Sequence, residues 1–208
     1  MLPRKMSRPS RQAHFAGPGS GTLLLENYHT GEILRLRRER HADQVVLQIE
    51  GRLPPKQEGP PMHIHLMERE EGEVISGVAS AVVGGKTIKV AAGEQAVFPV
   101  GVPHRWWNAE DQPLQLKGRV IPVVDLDRFL QAIFAVANAG SAGRLPLFYA
   151  AHVAYRHRRT QRLATVPMAI QRIVFPVVVF VGWLLGKYRG DDWPGAPKSC
   201  TGAPEMDS

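Results

Sequence analysis

The chain is predicted to be mainly β, a small sandwich or barrel, with an α-helical appendage at its C-terminal end. Three observations predict this. Between Thr22 and Val124, short runs of β-branched and apolar residues recur with turn signals between them, the spacing of a many-stranded double sheet. Within them the apolar positions alternate: Val45, Leu47 and Ile49 interleave with Val46, Gln48 and Glu50, the period of a strand with one buried face. At Pro122 the period changes, and Leu126, Phe129, Leu130, Ile133, Phe134 and Ala137 recur at helical spacing.

The elements follow in order. Leu23-Leu24-Leu25 and Ile33 to Arg37 flank a turn at His29-Thr30-Gly31. Strands are expected at Glu73 to Ser76 and Ser80 to Val83. The latter is joined to Lys86–Val90 by the tight turn Gly84-Gly85. Gln95 to Phe98, His104 to Trp107 and Leu114 to Val120 complete the β part. Asp125 is expected to cap a helix running to about Ala139 and stopped by Gly140. A second helix is expected over Leu147–Arg159, with Pro146 at its start, and a third over Met168–Tyr188, with Pro176 inside it. The resulting organisation is a disordered basic arm over 1–21, a barrel over 22–122, a three-helix extension over 123–190 and a loose tail over 191–208.

The net charge is +7 and unevenly spread. Residues 1–40 hold eight Lys/Arg against three acids, residues 41–121 eight against ten, and residues 122–208 ten against six. The slightly acidic middle does not suit a groove that tracks phosphates. The cluster Arg156, His157, Arg158, Arg159 and Arg162 has no helix-turn-helix beside it. It reads as a solvated turn, and nucleic acid is not an expected partner. One cysteine, Cys200, excludes a disulfide framework and suits a reducing cytoplasm.

The chemistry lies in two clusters about 40 positions apart. The first is His63-Ile64-His65, then Glu70 after four residues and Gly77 after six more. The second is Gly93, Pro99, Gly101, His104 and Asn108. On a strand His63 and His65 point to the same side. Three imidazoles and one carboxylate suffice for a divalent transition metal. Glu68, Glu71 and Glu73 compete with Glu70 for the carboxylate role and read as solvated or rim charges. Trp106 should share the face of His104 and wall a pocket, or fill the barrel core. Trp107 should point away. Met62 and Met67 read as gap-fillers. Lys117 and Arg119 are expected to face outward, because a buried unpaired cation is costly.

These two spaced motifs resemble those of the cupin superfamily. Only the leading glycine of the first motif is missing; the nearest, Gly59, is separated from His63 by only three residues. The second motif matches at every position. The resemblance covers roughly residues 22–122. It implies a double-stranded β-helix, the jelly-roll barrel, with His63, His65, Glu70 and His104 holding one divalent metal (iron, manganese, zinc or nickel). It also implies a small-molecule ligand, with Trp106 and Asn108 in the pocket wall, and a homodimer. The implied activities are dioxygenase, isomerase, lyase or cyclase chemistry. The alternative is a non-catalytic module docking through its helices.

Residues 173–186 carry no charge and are bracketed by Arg172 and by Lys187-Tyr188-Arg189. Fourteen residues fall short of the roughly 20 a spanning helix needs. The expectation is a helix against the barrel or a second subunit, with membrane contact as the alternative.

Overall fold

Alternation builds the first sheet. In β1 (Leu23–Glu26), β2 (Ile33–His41) and β3 (Gln44–Leu53), Leu23, Leu25, Leu34, Leu36, Leu47 and Ile49 are buried while their polar neighbours face out. Our computed structural model describes residues 21–141 and 144–197. The basic arm, apart from Gly21, and Cys200 lie outside the described residues. The next strands are β4 (His63–His65), β5 (Arg69–Ser76), β6 (Val78–Val83), β7 (Lys86–Ala91), β8 (Gln95–Phe98), β9 (His104–Trp107) and β10 (Leu114–Ile121). The helices are α1 (Leu126–Ala139), α2 (Leu147–Arg156) and α3 (Met168–Leu184), with a short strand β11 (Gln161–Leu163) between the last two.

Two antiparallel sheets result, one ordered β1-β2-β3-β10-β5-β8 and the other β11-β4-β9-β6-β7. Leu53, Val74, Ala81, Val90, Phe98 and Leu114 fill the space between them. A second apolar layer joins β1–β3 and β10 to α1 through Leu36, Leu47, Val120, Leu126 and Phe134. Arg38 on β2 clamps the fully buried Asp127 at the start of α1, with Nη2 donating at 2.7 Å.

The structure corrects four expectations about the C-terminal extension. The extension is not helical throughout: β11 pairs antiparallel with β4, placing Gln161 opposite His65 and Leu163 opposite His63. The segment expected as a solvated turn is therefore partly interior, with His157 and Gln161 both buried. Helices α2 and α3 stop earlier than the period suggested, at Arg156 and Leu184, because the chain turns into β11 and into the loop after Leu185. The tail, expected to be loose from Asp191, is described only to residue 197, and that part is not loose. Trp193 stacks on Tyr149 and meets His152 and Tyr188, and Gly195 lies against Val136 and Val153.

Candidate metal centre

Three strands deliver the four residues. His63 and His65 project from the same side of β4, Glu70 from the start of β5, and His104 from β9, where it pairs with His63. Their ligating atoms all lie within 4.8 Å of one another. His63 Nε2 is 3.2 Å from His65 Nε2, and Glu70 Oε2 is 3.1 Å from His65 Nε2 and 3.8 Å from His104 Nε2. Donors sharing one ion at about 2.1 Å stand roughly 3–4 Å apart, so this spacing fits a single metal.

The hydrogen bonds behind the rings assign their tautomers. His63 Nδ1 donates to the Pro61 carbonyl and His104 Nδ1 to the Val102 carbonyl, each at 2.8 Å. A carbonyl only accepts, so each Nδ1 carries the proton and each Nε2 presents its lone pair to the centre. His104 Nε2 is buried without a hydrogen-bond partner among the described residues, a cost that a cation removes. Phe98 stacks on the His104 ring at 4.8 Å and holds its plane. Burial, then His104 and His65, push His63 down to about 4, leaving it neutral at neutral pH. Burial alone would raise the Glu70 carboxyl, but the His104 and His65 rings beside it outweigh burial and hold the group below the usual carboxylate range. The result is a neutral His63 beside an ionised Glu70, the protonation state metal binding requires of each.

Glu68 is not the solvated charge expected. It is fully buried. Its Oε1 accepts the Val124, Asp125 and Leu126 amides at 2.7, 3.1 and 3.2 Å, and its Oε2 accepts Gln161 Nε2 at 2.8 Å. That same Oε2 lies 4.0 Å from His65 Nδ1. A carboxylate from the β4–β5 turn thus caps α1, where the N-terminal amides and the helix dipole favour a negative charge. Asp125, expected as the cap, makes no side-chain cap bond. Its Oδ2 instead accepts His157 Nδ1 at 2.7 Å. Glu71 is a rim charge as expected, bonded to Arg119 and Arg69.

A cavity of about 420 Å³ opens from this cluster. Trp106, Phe98 and Leu116 line its barrel side, and Leu126, Phe129 and Ile133 of α1 line the other. Asn108, expected in the wall, is not among the lining residues. Its side chain is turned into the loops, where Nδ2 donates to the Pro54 and Gln112 carbonyls at 2.8 Å and Oδ1 accepts the Glu110 amide. Trp107 points away and stacks under the Arg105 guanidinium. Met67, expected to fill a gap, is instead exposed, whereas Lys117 and Arg119 face outward as expected.

Gly59 also bears on the wall. At φ +64° a Cβ there would sit 2.1 Å from the Trp106 carbonyl oxygen. We expect Gly59→Ala to cost about 2–3 kcal/mol, since both the left-handed backbone and the clash oppose it. A urea midpoint equal to that of the parent protein would show that the loop yields.

Sequence reasoning missed Glu32 and Gln161, because a lone acid in a turn and a three-residue strand carry no periodic signal. Glu32 lines the cavity half-buried, and burial pushes it up to about 7. A carboxyl raised in the folded state costs stability as pH climbs from about 4.5 through 7. Glu32→Gln is therefore expected to raise the urea midpoint at pH 8 but not at pH 4. An equal change at both pH values would overturn this.

Residues 49–123 match the family model described as the cupin domain. The chain carries a cupin domain. Among solved structures, this cupin barrel is similar to a sugar phosphate isomerase of Silicibacter pomeroyi, with 20% identity, 42% of this chain and 58% of that one covered, and a TM-score of 0.36. It is also similar to KdgF from Halomonas sp., at 17% identity over 45% of this chain and 83% of that one, TM-score 0.38. A variant of salicylate 1,2-dioxygenase from Pseudoaminobacter salicylatoxidans shares 24% identity over 36% of this chain and 22% of that one, TM-score 0.34. The chain thus spans little more than half the length of the isomerase it matches. No curated protein matches the chain.

Proposed function

We propose that this cupin protein is a metal-dependent enzyme acting on a small, largely apolar organic molecule. One observation carries the reading: His63, His65 and Glu70 of the ligand cluster also line the cavity, whose other walls are mostly apolar. A divalent transition metal held by these residues and His104 would supply a Lewis acid with positions left for substrate. The protein's own part is orientation and exclusion of water. The Pro61 and Val102 carbonyls fix two imidazoles, Phe98 and Trp106 present flat apolar faces to a planar ligand, and α1 supplies the facing apolar wall. The apolar walls favour an aromatic or aliphatic body over a polyhydroxylated one, whose hydroxyls would lose their hydrogen bonds there.

The competing reading is a binding module without chemistry. It is favoured by how few proton-transfer groups line the cavity outside the ligand cluster: among the described residues, Glu32 and Glu73 are the carboxylates. A thermal-shift screen of small aromatic and aliphatic acids, alcohols and carbonyl compounds separates the two readings. It is run on apo protein and on protein loaded with iron(II), manganese, zinc or nickel, and hits are followed by mass spectrometry. Metal-dependent conversion of a hit supports the enzyme. Tight binding with no conversion under any metal supports the module.

A further inference from the structure

Helix α3 leaves an apolar stripe uncovered by any described residue. Ile170, Ile173, Val177, Phe180 and Leu184 recur three or four residues apart and are 42–65% exposed, with Trp183 beside them at 65%. Residues at that spacing share one helix face. The opposite side meets the body of the protein: Gly182 is buried against Tyr188, whose hydroxyl donates to the Phe148 carbonyl of α2 at 2.9 Å. A stripe of this kind is an interaction surface.

Charge indicates what covers it. Between Asp127 and Asp191 the sequence holds nine Lys or Arg residues and no Asp or Glu. Arg172 stands in the first turns of α3, and Lys187 and Arg189 follow its end. All three are exposed, and none has an ion pair among the described residues. A second copy would set the same unpaired cations against one another. An anionic lipid surface would neutralise them and bury the stripe. Trp183 near the helix end suits the headgroup level. At 17 residues α3 is about 25 Å long, and no described helix is long and apolar enough to cross a membrane. We propose that α3 lies in the plane of an anionic membrane, its exposed stripe among the acyl chains and its flanking cations at the headgroups.

The test is vesicle sedimentation of the full chain, with phosphatidylcholine vesicles and with vesicles containing phosphatidylglycerol, at low and high salt. Val177→Gln/Phe180→Gln removes apolar contact while leaving every charge in place. The parent is expected to pellet with anionic vesicles and to be released by salt. The variant should bind at least tenfold more weakly, with unchanged circular dichroism and metal content. No pelleting with anionic vesicles at low salt overturns the proposal. So does undiminished binding of the variant, which would assign the attraction to the basic arm. Light scattering completes the test: a dimer that the variant dissociates, without vesicle binding, would give the stripe to a second copy. The metal site is untouched by these changes, so the outcome is independent of the proposed enzymatic reading.

Discussion

Replacing His63 and His104 together by alanine is expected to take bound metal from about one ion per chain to almost none. Elemental mass spectrometry on protein purified without chelator measures this. Two of the four donors are lost, and the remaining His65 and Glu70, 3.1 Å apart, form only a two-point chelate. The affinity loss should exceed the roughly 10–100-fold that follows from losing an outer partner of a ligand. The barrel should survive the loss of the Phe98 stack on His104, because the core also holds Leu53, Val74, Ala81 and Leu114. Unchanged stoichiometry in a folded variant would defeat the ligand assignment. Acidification tests the same site in the apo protein. His63 sits at about 4 when folded, below the ordinary histidine value of about 6.5. The unfolded chain therefore binds more protons in that window, and stability falls as pH drops from about 6.5 towards 4. His63→Ala should flatten that slope.

Glu68→Ala is expected to be the most destabilising single change outside the ligand cluster. It strands three amides at the start of α1 and the Gln161 side chain, all of which now reach one carboxylate. Buried donors left without an acceptor cost about 1–3 kcal/mol each in isolation, and breaking a buried charged network about 3–5 kcal/mol in all. At this chain length, that lowers the melting temperature by about 10 °C. Glu68→Gln keeps one carbonyl oxygen for the α1 amides but sets an NH2 against Gln161, so it should fall between parent and alanine variant. Because Glu68 also stands behind His65, the alanine variant should bind metal more weakly as well. A melting temperature within a degree of the parent would mean that water replaces the carboxylate and that the coupling of helices to metal site is weak.

How much of this was legible in the sequence varies from residue to residue. Val45 to Glu50 reads as a strand because alternation is a property of adjacent residues. The His63/His65 pair and the spacing to Glu70 are legible for the same reason: i and i+2 on a strand share a face without help from elsewhere. His104 was found through a fixed motif spacing, not through any derivable contact. Asn108 came with the same motif, and the structure shows that its amide serves the loops and not the cavity. Glu68 had the same local surroundings as Glu71, yet one is fully buried and the other bonded to Arg119 at the rim. Nothing within a few residues of either distinguishes them.

The sequence by itself determined the strand faces, the apolar stripe of α1, the donor chemistry of the cluster and the uncharged run of α3. Each is written in residue order at a spacing of two to four. Only the tertiary structure decided that Glu68 caps α1, that β11 pairs with the ligand strand, that α1 walls the cavity and that one side of α3 stays exposed. These depend on contacts such as Glu68 with Gln161, 93 residues apart. Such a contact forms only when the intervening chain has folded, and its free energy leaves no periodic trace in the sequence around either partner.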